Sequence, residues 1–231
     1  MNILLVDDHA LFRRGVVYAL SEADATIETT ECGNLDSALA HIRQGRRVDL
    51  MILDLHTPGY TRLAALEKVR CVCPEIPVLV LSAEEDPAVV RQAIDMGACG
   101  YLTKSAPADA LQHALQLVIS GGVFLPASSL SAVSSDGRGA ADRWSKLGTR
   151  LTPRQRDVLL GIVQGKPNKV IARELGVSDG TVKTHLAHIF DSLMVNSRTQ
   201  AVYALAQAGL SMKDLLNASD ETDVVTTFRA A

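Results

Sequence analysis

Three carboxylates, a hydroxyl and an ammonium group stand at the ends of short apolar runs in the first half of this 231-residue chain. Ile3-Leu4-Leu5-Val6 runs into Asp7 and Asp8, Leu50 to Leu53 into Asp54, Val78 to Leu81 into Ser82, and Tyr101-Leu102 is followed by Lys104. Buried parallel strands read as such runs, and in open α/β sheets ligands gather at the strand carboxyl ends. All five groups are therefore expected on one rim of a sheet. Three carboxylates so placed repel one another unless a divalent cation lies between them, and oxygen-only ligation suits Mg²⁺. Asp54 is then free to attack phosphorus as a nucleophile. Lys104 would neutralise the phosphoryl charge, and Ser82 would donate a hydrogen bond to a phosphoryl oxygen.

A second set of chemistry-bearing residues lies near the other end. Residues 168 to 187 read as helix, glycine turn and second helix, a helix-turn-helix whose second helix enters the DNA major groove. Val182, Leu186, Ile189 and Leu193 recur at helical spacing and form its expected buried face, which turns Gly180, Lys183, Thr184 and Ala187 outward. Lys183 can bond to guanine O6 or N7, and Thr184 can read thymine or adenine. Asn168, Lys169, Arg198 and the helix N-terminal amides suit phosphates, with Ser178, Thr181 and His185 in the same contact set. Ala187 is too short to add a polar base contact, so this helix reads fewer bases and depends more on phosphates and DNA shape.

The elements that must position these groups follow from periodicity. Strands are expected near 2–7, 25–31, 49–54, 76–81 and 100–102, alternating with amphipathic helices near 10–21, 35–44, 62–72, 87–95 and 108–119. Such alternation builds right-handed βαβ units and a parallel sheet covered on both faces. The second strand is the least apolar and belongs at an edge. Residues 126–150, rich in Ser, Gly, Ala and Arg, have no sustained period and read as a linker on which Trp144 and Leu147 could dock. Beyond them four helices are punctuated by caps. Thr152-Pro153-Arg154-Gln155 is a capping box with proline at the first helical position, Asn168 and Ser178 cap the next two helices, and Ser197 with Gln200 forms a second box. Gly165, Gly176 and Gly209 are the stops.

Composition narrows the class. No apolar stretch approaches the ~20 residues needed to span a bilayer, which points to a cytoplasmic protein. The four cysteines, Cys32, Cys71, Cys73 and Cys99, lack paired metal spacing and read as ordinary thiols. The net charge of −3 is split: residues 1–120 carry 10 basic and 16 acidic side chains, and residues 151–209 carry 7 basic and 4 acidic. The positive second half is the candidate for nucleic acid.

Asp7-Asp8, Asp54 with Pro58-Gly59, Ser82-Ala83, Gly97-Ala98, Gly100-Tyr101 and Lys104 together resemble the receiver domain of bacterial two-component response regulators over about 120 residues. Leu151 to Leu159, Asn168 to Ala172 and Gly176 to His185 resemble the LuxR/NarL-type DNA-binding domain over about 65 more. The resemblance implies a five-stranded, parallel, doubly wound (flavodoxin-like) α/β receiver over 1–122 and an all-α four-helix helix-turn-helix domain over 147–211; composition places a linker over 123–146 between them and a flexible tail over 212–231, rich in Asp, Thr and Ala. The resemblance also implies Asp54 as phosphoacceptor, with Asp8, Asp54 and the His56 carbonyl as Mg²⁺ ligands and Asp7 assisting. Ser82 and Tyr101 match the switch pair, whose rotamer change reports phosphorylation to the outer face. A sensor histidine kinase as donor, double-stranded DNA as target and a homodimer through Ala201, Val202 and Leu205 complete the expectation. The departures are Arg62 where this family has glycine, Gln155 for glutamate, and Ser192 and Met194 where Lys and Gly are common.

The implied protein is a phosphorylation-controlled transcription regulator rather than a turnover enzyme. An aspartyl-phosphate hydrolase places a second Asp two residues after its nucleophile, whereas here the aspartates are adjacent. The alternative is a DNA-binding regulator whose receiver is a phosphate-independent protein-interaction module.

Overall fold

The computed structural model describes residues 1–119, 122–125 and 151–210, so the expected linker and tail lie largely outside the described residues. The chain forms two compact units, one built on Met1–Ile119 with the 124–125 segment and the other containing residues 151–210.

In the first unit, β1 (Asn2–Val6), β2 (Glu28–Cys32), β3 (Leu50–Leu53), β4 (Val78–Ser82) and β5 (Gly100–Thr103) make one parallel sheet in the order β2-β1-β3-β4-β5. Between and after them run α1 (Ala10–Ala23), α2 (Leu35–Arg43), α3 (Ala64–Val72), α4 (Pro87–Asp95) and α5 (Ala108–Ile119). The polar strand β2 is at the edge, as its composition requires.

Side chains alternate across a strand, so each apolar run divides between two cores. Leu4, Val6, Met51, Leu53, Val78 and Val80 face α2, α3 and α4 through Leu39, Leu66 and Val90. Ile3, Leu5, Ile52, Leu79, Leu81 and Leu102 face α1 and α5 through Val16, Leu20 and Leu115. This double burial explains why the central strands read as continuous rather than alternating.

In the second unit, α6 (Pro153–Val163), α7 (Asn168–Glu174), α8 (Asp179–Leu193) and α9 (Arg198–Gln207) surround a core of Val158, Leu159, Ile162, Ile171, Val182 and Ile189. The capping box forms in full at Thr152 and Gln155. A Cβ on Gly161 would stand 2.7 Å from Ile171 Cγ1, so glycine permits the close approach of α6 and α7.

Two expected caps are corrected. Pro167, not Asn168, is the N-cap of α7: its fixed φ of −60° suits the extended cap position, and Asn168 becomes the first helical residue. Ser197 accepts from Gln200 N–H at 3.1 Å, but the Gln200 side chain returns to Asn196 N–H at 2.6 Å, one residue before the cap.

Both departures at glycine positions become left-handed residues. Arg62 (φ 41°) and Met194 (φ 53°) are the non-glycine residues at positive φ among those described. A side chain there costs roughly 1–2 kcal/mol. Met194 is 88% exposed and caps α8, so no burial offsets that strain. Met194→Gly is therefore expected to stabilise the second unit by about 1 kcal/mol, checked as a rise in denaturation midpoint.

Candidate phosphoacceptor site and DNA-reading helix

The strand order and register bring the rim groups together. Reversal of order between β1 and β3 makes a crevice at their carboxyl ends, and Val6 pairs with Leu53, which sets Asp7 beside Asp54. Asp54 N–H donates to Val6 O at 2.9 Å, and Lys104 N–H to Ser82 O at 2.8 Å. The Lys104 ammonium then lies 2.6 Å from Asp7 Oδ2 and 2.8 Å from Asp54 Oδ2, and 4.8 Å from the centre of the Phe12 ring.

Asp7 and Asp54 are buried, whereas Asp8 is exposed at the mouth. Burial disfavours the Lys104 charge, but hydrogen bonds and charges from Asp54 and Asp7 outweigh it and hold the ammonium above its ordinary pKa. One cation between two buried carboxylates neutralises half their charge. Asp7, Asp8, His9 and Asp54 offer ligand atoms within 4.8 Å of one another, so a further dication fits the donor chemistry. His9 was not anticipated from sequence. Its ring Nδ1 lies 2.7 Å from Asp8 Oδ1, and its adjacency to Asp8 was the available signal. His56 donates its N–H to Asp54 Oδ1 at 3.1 Å while its half-exposed ring stays 3.9 Å from that oxygen.

Ser82 and Tyr101 meet at one residue. Ser82 Oγ accepts from Glu84 N–H at 3.2 Å, and the Tyr101 hydroxyl donates to Glu84 O at 2.8 Å with the residue fully buried. Burial, with the charges of Glu84, Asp54 and Asp86, pushes the Tyr101 phenol up to about 12. An acid whose folded pKa exceeds its unfolded value loses its stabilising contribution as pH rises through that interval. The first unit is therefore expected to lose stability between pH 10 and about 12, and Tyr101→Phe to flatten this part of the pH profile in chemical denaturation.

In the second unit the exposed face of α8 carries Gly180, Lys183, Thr184 and Ala187, while Val182, Ile189 and Leu193 are buried. Ser178 caps the helix by accepting from Thr181 N–H at 3.0 Å, and its hydroxyl lies 2.8 Å from Thr181 Oγ1. Lys183 Nζ is 3.0 Å from Asp179, and Thr184 Oγ1 donates to Gly180 O. His185 is half-buried, Asn168 partly exposed and Lys169 exposed. His188, one turn beyond Thr184, extends the exposed face and was legible from the same spacing.

Residues 3–116 match the response regulator receiver domain, and residues 149–205 match the bacterial regulatory proteins of the luxR family. The glycerol metabolism activator of Pseudomonas putida is 37% identical over 205 residues, covering 87% of this chain and 93% of that protein. The nitrate/nitrite response regulator protein NarL of Escherichia coli K12 is 33% identical over 200 residues, covering 87% and 92%. This chain is a NarL-type response regulator. The Salmonella typhimurium RcsB response regulator, at 21% identity, shares its fold with a TM-score of 0.52 over 89% of this chain and 98% of its own.

A receiver joined to a LuxR-type helix-turn-helix makes the protein a DNA-binding transcription regulator. No described helix of this regulator is long and apolar enough to cross a membrane. Some of the expected contact residues in its second unit also bond or pack within the fold. Arg198, expected at phosphate, donates to Ile162 O at 3.0 Å and Lys166 O at 2.8 Å, closing the end of α6; burial pushes it down to about 10. Of the expected dimer residues, Ala201 and Leu205 are sealed in the regulator's small core, and only Val202 keeps exposure. Two of the three have no surface to offer a partner.

Proposed function

We propose that Asp54 accepts a phosphoryl group from a sensor histidine kinase and that the resulting change at Ser82 and Tyr101 controls dimerisation and DNA binding. The observation that supports this best is the Asp54–Lys104–Asp7 cluster: a buried carboxylate at a strand end, held by an ammonium and edged by two more carboxylates. A carboxylate oxygen of Asp54 attacks phosphorus, the bond from phosphorus to the donor nitrogen breaks, and its electron pair stays with the departing imidazole. Asp8 and Asp54, with the His56 carbonyl and Asp7 assisting, would hold Mg²⁺, which supplies neutralisation of phosphoryl oxygens when bound. Lys104 pairs with the new phosphoryl charge. The Ser82 hydroxyl leaves the Glu84 N–H to donate to a phosphoryl oxygen, and the loop after β4 follows it inward and closes over the buried Tyr101.

A cavity of about 940 Å³ extends from Asp54 and Lys104 along α1, walled by Phe12 with the exposed Leu11 and Tyr18. An apolar surface running to the phosphoacceptor suits a helical donor protein that must bring its phosphohistidine to Asp54. On the DNA side, Lys183 and Thr184 read bases, and Asn168, Lys169, Ser178, Thr181 and His185 position the helix on phosphates. The structure of an RcsB–DNA complex, at 21% identity, is a precedent within this fold. Labelling with a small acyl phosphate and Mg²⁺ tests the phosphoacceptor reading. Absence of label on the wild-type chain would leave the receiver as a phosphate-independent interaction module.

A further inference from the structure

Arg62 stands at φ 41°, a backbone conformation that penalises any residue with a side chain and that glycine adopts freely. Such strain persists only where surrounding contacts hold the residue in place. The Arg62 guanidinium Nη2 lies 3.2 Å from Glu84 Oε2. Arg62 belongs to the loop between β3 and α3, the same loop that carries His56 and follows Asp54; Glu84 belongs to the loop after β4.

Glu84 also receives both switch residues. Its N–H donates to Ser82 Oγ, and its carbonyl accepts from the buried Tyr101 hydroxyl. The neighbouring Glu85 carboxylate accepts from Ser105 in the loop after β5, and Asp86 caps α4 by accepting from Ala88 N–H. The three consecutive acidic residues thus tie the loop after β4 to the loops on either side and to its own helix. Among these ties, the pair with Arg62 connects the loop that follows Asp54 to the residue on which Ser82 and Tyr101 converge.

Resting on the phosphoacceptor reading, we propose that Arg62 is a positioning residue for the Ser82/Tyr101 pair. By pairing with Glu84 it holds the loop after β4 where the Glu84 carbonyl receives the Tyr101 hydroxyl, so Tyr101 is buried before any phosphoryl group arrives. The tie accounts for the side chain at a position where glycine would be unstrained. It also makes the resting chain closer to its switched arrangement than a glycine-bearing one. The Arg62 side chain is 62% exposed and that of Glu84 21%, so the tie is weak. Its loss is expected to raise the population with Tyr101 exposed by at most about fivefold, which converts to ~1 kcal/mol.

The test uses the full chain labelled with 3-fluorotyrosine and read by ¹⁹F NMR, with Tyr101→Phe identifying the resonance. Arg62→Gly removes the tie and the strain together, and Glu84→Gln removes the charge with the backbone intact. Each is expected to shift the Tyr101 resonance toward the exposed position, and the double variant to go no further than either single one. Additive effects, or no shift in either variant, overturn the proposal.

Beryllofluoride with Mg²⁺ separates this idea from the reading beneath it. It is expected to re-bury Tyr101 in Arg62→Gly by drawing the Ser82 hydroxyl off the Glu84 N–H, and to do nothing when Asp54→Asn is added. A wild-type resonance that responds to beryllofluoride while both tie variants match wild type removes the role of Arg62 alone. A non-additive cycle with no beryllofluoride response in any variant removes the phosphoacceptor reading and leaves the tie standing.

Discussion

Asp54→Asn is expected to take up no phosphate from a small acyl phosphate and Mg²⁺, where the wild-type chain is labelled. The substitution keeps the volume and one acceptor oxygen of a side chain that is 1% exposed, and it removes the anionic oxygen that must attack phosphorus. Lys104 retains Asp7 at 2.6 Å, so its ammonium is not stranded, and His56 N–H can still donate to the amide oxygen. Removing one of two buried carboxylates also relieves their repulsion. The fold is therefore expected to survive with a stability change within about 1 kcal/mol, because no buried charge loses its last partner. Loss of label with an unchanged denaturation curve locates the chemistry at Asp54. Label retained at the wild-type level would place the phosphoacceptor elsewhere.

The features legible from sequence were those that one element carries by itself. Apolar runs ending in Asp7, Asp54 and Ser82 marked strands and their carboxyl ends at once, because a parallel strand buried on both faces has no polar residue until it leaves the sheet. The polar composition of β2 likewise fixed its edge position. The capping box at Thr152 was legible because both of its hydrogen bonds are local.

What was not legible depends on contacts between distant segments. The bond from Arg198 to Ile162 and Lys166 spans more than thirty residues, and no period announces it. Helix α9 presents apolar side chains around much of its circumference, so spacing could not show that Ala201 and Leu205 face inward. No period or motif marks Glu84, and its role emerges only where Arg62, Ser82 and Tyr101 converge. Arg62 and Met194 were visible as departures from glycine. Their left-handed backbones are the conformation that glycine would adopt freely at those turns.

Lys183→Ala is expected to lower affinity for the cognate operator by about 10- to 100-fold while changing affinity for random DNA far less. A lysine on guanine O6 or N7 contributes roughly 1–3 kcal/mol of discrimination, and alanine at this position has nothing to offer a base edge. The ion pair of Lys183 with Asp179 does not oppose that role, because neither side chain is buried and such solvent-accessible pairs contribute little. Asp179 can be left for a base without stranding a buried charge. Lys169→Ala is expected to behave differently. Lys169 is exposed in the first turn of α7, outside the proposed reading helix, and is proposed to contact a phosphate. Its loss weakens binding to every sequence and lowers the slope of log affinity against log salt by about 0.9, one phosphate contact. Fluorescence anisotropy on cognate and scrambled duplexes across a salt series distinguishes the two. Equal losses on both duplexes for Lys183→Ala would reduce it to a phosphate contact and transfer base reading to Thr184 and its neighbour one turn on, His188.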